Sequence, residues 1–167
     1  MKQELSLVGL IFLTACGGFD GRMVAGGDIL PPARLAVDAI NATFGCEVVE
    51  LREGDGGRWL DGESQVYFSE AMRQQAAGFM REERGNPERD IMVRPKTSFV
   101  EVNGTMLPTA PPEYDSIIVH ELGHAFGLRH VDGIGEVMHP SGGDSRDPDK
   151  MTRFVEALRG AGAGCRR

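Results

Sequence analysis

Residues 120 to 138 constrain this chain more than any other stretch: His120-Glu121-Leu122-Gly123-His124-Ala125-Phe126-Gly127-Leu128-Arg129-His130, with Met138 eight residues further on. On a helix, residues four apart lie about 40° apart around the axis, so His120 and His124 can offer two ring nitrogens to one cation. Gly127 can take positive φ without a Cβ clash, which lets the helix stop and the chain turn back to bring in His130 as a third ligand. Three neutral imidazoles with the fourth position open are the donor set of a catalytic zinc ion. Structural zinc is instead closed by a fourth protein ligand and usually uses Cys. Glu121 cannot reach the same metal face, but it can approach an activated water from the side as a general base. Any one of these histidines alone would ordinarily be read as a packed core residue. Five fixed positions together arise by chance at well under roughly one in a million starting points, which disfavours that reading.

The flanking pattern places the motif on a helix from Glu113 to Phe126, entered through Pro111 and Pro112, with Glu113 and Asp115 near its positive end. A first helix, helix A, opens at Pro31 and Pro32, carries Leu35, Ala36, Ala39 and Ile40 at helical spacing, and stops at Gly45. A C-terminal helix starts with Asp147 as N-cap and Pro148, buries Met151, Phe154, Val155 and Leu158, and stops at Gly160. Strands are expected over Cys46 to Leu51, Gln65 to Ser69 and Arg89 to Arg94, with a hairpin turn at Asn103-Gly104. Periodicity leaves 71 to 84 open between helix and strand. Gly54 to Gly62 lacks the spaced oxygen ligands of a calcium loop and reads as a solvated turn. The sum is an α+β domain.

At 167 residues the chain has room for one domain with a modest core. Its net charge of −7, with only 18 Lys and Arg scattered along it, argues against nucleic acid as a partner. Lys2 and the apolar run from Leu5 to Leu13 look like an export signal, too short to span a bilayer. Leu13-Thr14-Ala15-Cys16 resembles the bacterial lipobox, which implies cleavage after residue 15 and a lipid on Cys16, although an ordinary secretory signal with an incidental cysteine fits the same run. Gly17 in place of Asp resembles the sorting pattern of outer-membrane lipoproteins, if the source has an outer membrane. Residues 16 to 30, with five Gly at 17 and beyond, read as lipidated Cys and flexible tether, and 31 to 167 as the folded domain. Lipidation of Cys16 leaves Cys46 and Cys165, which either pair in an oxidising compartment or remain separate thiols.

The run His130-Val131-Asp132-Gly133-Ile134-Gly135-Glu136-Val137-Met138-His139-Pro140, joined to the histidine motif, resembles the matrixin form of the metzincin zinc metallopeptidases. That resemblance implies a zincin fold: a small twisted mixed sheet with helix A, the active-site helix and a C-terminal helix below the site. It implies that His120, His124 and His130 bind the zinc, Glu121 acts as base, and Met138 forms a floor beneath the ligands without binding metal. Pro140 and Ser141 would wall the pocket for the residue after the scissile bond. It also tips 77 to 83 towards an edge strand along which substrate backbone pairs. The chain departs from the family in places. Its four histidines are 120, 124, 130 and 139, so a second, His-rich zinc site has no ligands and one zinc is expected. Gly142 replaces a Tyr that shapes the pocket, and Pro140 stands where astacins place a Tyr ligand. His139 either lines the site or packs on it. With Cys16 lipidated, no inhibitory cysteine ahead of the domain is expected.

These features point to an exported, lipid-anchored zinc endopeptidase of a bacterial envelope. It would act on peptide or protein substrates, with Glu121 moving the proton and a zinc-activated water attacking the carbonyl. The alternatives are a zinc-site binding or scaffold protein with little turnover, and a hydrolase of a non-protein amide such as a cell-wall cross-link.

Overall fold

A computed structural model describes residues 19–54, 64–68, 78–82, 89–93, 99–102, 105–108, 114–133, 135–140 and 143–166. Seven strands and three α-helices lie among them: β1 Arg22–Ala25, α1 Leu30–Phe44, β2 Glu50–Glu53, β3 Gln65–Phe68, β4 Gly78–Glu82, β5 Arg89–Val93, β6 Phe99–Val102, β7 Thr105–Pro108, α2 Tyr114–Ala125 and α3 Pro148–Gly160. The main sheet runs β2-β1-β3-β5-β4, with the first four strands parallel and β4 antiparallel to β5 at one edge. β6 and β7 pair with each other on either side of residues 103 and 104. The architecture is mixed α and β, in line with the coarse α+β expectation.

Parallel neighbours need a crossover, and α1 supplies the one between β1 and β2. Its apolar face is Ala33, Ala36, Val37 and Ile40, all buried, a spacing of i, i+3, i+4 and i+7. Leu35, expected on that face, is 61% exposed. Gly45 ends the helix with φ 80°, as its sequence position suggests. The next residues are not yet strand: Asn41 Oδ1 accepts from the backbone N–H of Val48 and Val49, and pairing starts only at Glu50. Of the stretch left open at 71 to 84, the described residues 78 to 82 are strand, and β4 stands at one edge of the main sheet; 71 to 77, 83 and 84 lie outside the described residues. α3 begins as expected, with Asp147 accepting from Asp149 N and Lys150 N, a cap worth about 1 kcal/mol. It buries Met151, Phe154, Val155 and Leu158, but the left-handed reversal falls at Gly162 (φ 96°) rather than at Gly160.

The expected tether requires correction. Only its first residues, 16 to 18, lie outside the described chain; the rest is part of the domain. Phe19 is buried and meets Phe126 edge-on, with ring centroids 4.9 Å apart. β1 follows as an interior strand between β2 and β3, with Met23, Val24 and Ala25 all buried. A strand covered on both faces reads as a continuous apolar run rather than an alternation, which is why so short a segment escapes a periodicity search. Gly21, counted as a sign of flexibility, has φ 75°, and a Cβ there would strike Val48 O. The packed domain therefore includes residues 19 to 30 ahead of Pro31.

Cys46 and Cys165 are bonded, with Cα atoms 5.7 Å apart, joining the end of α1 to the tail beyond α3. Arg166 reinforces the junction through Glu50 Oε2 at 2.7 Å and the carbonyl of Asp20 at 2.9 Å. The export signal, Cys16, Ser141, Gly142 and all of the Gly54 to Gly62 loop except Gly54 lie outside the described residues. Among the described residues no helix is long and apolar enough to cross a membrane.

Candidate metal centre

α2 is buried on nearly every side. Ile118, Val119, Leu122 and Ala125 join the core, and His120 (7% exposed) and Glu121 (6%) are covered with them. Buried polar groups need partners. His120 Nδ1 lies 2.7 Å from the carbonyl of Val137, and His124 Nδ1 lies 2.8 Å from that of Leu128. A carbonyl oxygen can only accept, so both Nδ1 atoms carry the proton and donate it. In the neutral rings both Nε2 atoms then present lone pairs.

The end of α2 supplies the third nitrogen. Gly127 has φ 91°; its N–H donates to His124 O at 2.8 Å, and Leu128 N–H donates to Gly123 O at 2.9 Å. These two bonds make a Schellman reversal, which satisfies orphan carbonyls and sends the chain back past the helix. His130 arrives with Nε2 at 3.2 Å from His120 Nε2 and 3.0 Å from His124 Nε2. Three ligand atoms within 4.8 Å of one another form the one metal-competent group among the described residues.

The donor set fits a cation. Neutral ring nitrogens this close repel unless something positive lies between them, and a proton on His130 can serve only one neighbour at a time. Tetrahedral coordination with nitrogen at about 2.0–2.1 Å would separate neighbouring nitrogens by about 3.3 Å, close to the spacing found. Protons compete weakly here. Burial holds the His120 pKa below the ordinary imidazole value despite the Val137 hydrogen bond, with charge on His124, His130 and His139 acting in the same direction as burial. Desolvation and charge on His124 and His139 lower His130 as well.

Met138 is buried, with its Sδ against Gly123 of α2. A Cβ on Gly123 would collide with Met138 Sδ and with the Phe154 ring, so the glycine between the two helical histidines is what admits the sulfur. Val131 N–H donates to Met138 O at 3.0 Å, closing the loop that bears the methionine. No family model matches the chain, and no curated protein matches it significantly.

The three expected ligands converge: His120, His124 and His130 meet, Glu121 is buried next to His120 on α2, and Met138 is buried against Gly123. His139 is half-buried and close enough for its charge to depress His120 and His130, yet it stands outside the ligand group. Pro140 is exposed. Sequence reasoning missed the carbonyls of Val137 and Leu128, because any residue type supplies a carbonyl, and the packing role of Gly123, which lies at a variable position of the motif.

Proposed function

We propose that this chain is a zinc-dependent endopeptidase of the metzincin type, with a matrixin-like turn from His130 to Pro140. The observation that carries the reading is the convergence of three imidazole Nε2 atoms, two of them with tautomers set by backbone carbonyls, beside a buried carboxylate. Orientation of this kind by outer partners is what metal-binding histidines need. A sheet of four parallel strands with one antiparallel edge strand, α1, the ligand-bearing α2 and α3 behind Met138 agrees with that family's layout.

Bound zinc supplies a Lewis acid for the scissile carbonyl and lowers the pKa of the attacking water. Glu121 would take a proton from the attacking water on its carboxylate and return it to the leaving amine. Burial of Glu121 keeps its carboxylate from bulk solvent, and His130 lies exposed at the surface of the site. Among the described residues β4 stands at the edge of the main sheet, where an extended peptide would pair along it.

Lipidation of Cys16 belongs to the same reading, and the fold alters its consequence. Three residue steps separate Cys16 from the packed Phe19, at most about 11 Å of chain, so an anchored domain would be held against the bilayer rather than swinging on a tether. The test is the zinc-loaded chain in detergent against a mixed peptide library and cell-wall fragments, with Glu121→Ala as control. Peptide cleavage that disappears in the control supports the proposal. Stoichiometric zinc without cleavage makes the protein a binding module, and cleavage confined to the cell-wall fragments makes it an amidase of another kind.

A further inference from the structure

The loop from Val131 to Pro140 touches the metal site at two points, the Val137 carbonyl on His120 Nδ1 and the Met138 side chain under Gly123. Among its described residues, backbone bonds run from Val131 N–H to Met138 O, from Glu136 N–H to Gly133 O and from His139 N–H to Glu136 O. Gly133 and Gly135 within it add backbone freedom, and Gly135 has φ 82°. Such a loop needs an external brace if Val137 is to hold a fixed carbonyl. α3 provides one. Arg153 grips the Glu136 carboxylate at both ends, Nη2 to Oε1 at 2.6 Å and Nε to Oε2 at 3.2 Å. Neighbouring Phe154 packs against Gly123 together with Met138, so two successive α3 residues clamp the loop and α2.

We infer that Arg153 and Glu136 are positioning residues for the metal: their ion pair fixes the Val137 carbonyl, which holds His120 in the Nδ1–H tautomer with Nε2 towards the ion. The inference rests on the proposed metal site but not on peptidase activity. The pair is partly exposed, Arg153 by 53% and Glu136 by 29%, and pairs of that kind add little to global stability. Two parallel hydrogen bonds fix direction even where they contribute little energy. Their effect is therefore expected in ligand geometry more than in folding.

The experiment compares Arg153→Gln, Glu136→Gln and the exchanged pair Glu136→Arg with Arg153→Glu, using Arg146→Gln as reference. Arg146 makes a comparable, partly exposed bridge to Asp115 on α2. Zinc affinity is read by chelator competition, and the His120 Hδ1 resonance by NMR in the metal-free protein. Each Gln variant is expected to weaken zinc binding about 3- to 10-fold, somewhat below the loss typical of a direct outer partner, and to broaden or shift the His120 Hδ1 signal. The exchanged pair should recover part of both, and Arg146→Gln should change neither. Zinc affinity and Hδ1 signal that move no more in Arg153→Gln and Glu136→Gln than in Arg146→Gln would overturn the inference. If the wild type fails to hold zinc, the metal reading fails, and the Hδ1 signal still decides whether the brace acts on His120.

Discussion

Replacing Gly127 by Ala tests how the third ligand is delivered. The position is exposed and nothing lies within 4 Å of a built Cβ, so the substitution adds no collision and isolates the backbone effect. At φ 91° an alanine pays about 1–2 kcal/mol for the left-handed region, or about 2–8 °C in melting temperature for a domain of this size. If the backbone rotates to escape that cost, the bonds from Gly127 and Leu128 open and His130 leaves the cluster. Zinc affinity should then fall about 10- to 100-fold, as when an outer partner is lost. Gly127→Asn, which tolerates the left-handed region better, should lose about half as much stability. Gly160→Ala is the matched comparison: it also has open space, but it sits at a right-handed position at the end of α3, where Ala should stabilise by up to about 0.5–1 kcal/mol. Urea and thermal unfolding with and without zinc give the values. Equal signs for Gly127→Ala and Gly160→Ala would refute the backbone argument.

Cleavage of the Cys46–Cys165 bridge opens a connection of sequence separation 119, for which the loop-entropy relation gives about 4.9 kcal/mol, or about 10–20 °C. Melting of the double Ser variant measures it, and a loss under about 1 kcal/mol contradicts the clamp. Protonation acts through His120 and His130, both held below the ordinary value of about 6.5 by burial. As pH falls through that value the unfolded chain takes up protons first, so stability and zinc retention are full above it and decline below it towards the lowered folded values. NMR titration of the metal-free protein should show both rings titrating below 6.5; titration above it contradicts the burial argument.

The sequence discloses most where signals are local. Asp147-Pro148 and the four apolar residues after them specify α3, and Gly45 marks the end of α1, because caps and stops depend on residue chemistry within one turn. The ligand triad is legible for the same reason: i, i+4 spacing and one left-handed glycine set it almost independently of the rest of the fold. β1 was not legible, since its identity as a strand comes from β2 and β3 on either side rather than from alternation within Arg22–Ala25. Nor was the start of β2, where Asn41 captures the amides of Val48 and Val49 before pairing begins. The brace from Arg153 to Glu136 spans 17 positions and exists only once α3 packs behind the loop.

In the proposed reading, His120, His124 and His130 hold one catalytic zinc for which Glu121 moves the proton. Peptide turnover measured against added zinc, in the wild type and Glu121→Ala, tests it most directly. Wild-type turnover is expected to rise to a break at about one zinc per chain, and the Glu121→Ala protein to bind the same single ion with turnover lower by about 10²- to 10⁴-fold. Turnover independent of zinc, or undiminished without Glu121, would contradict it.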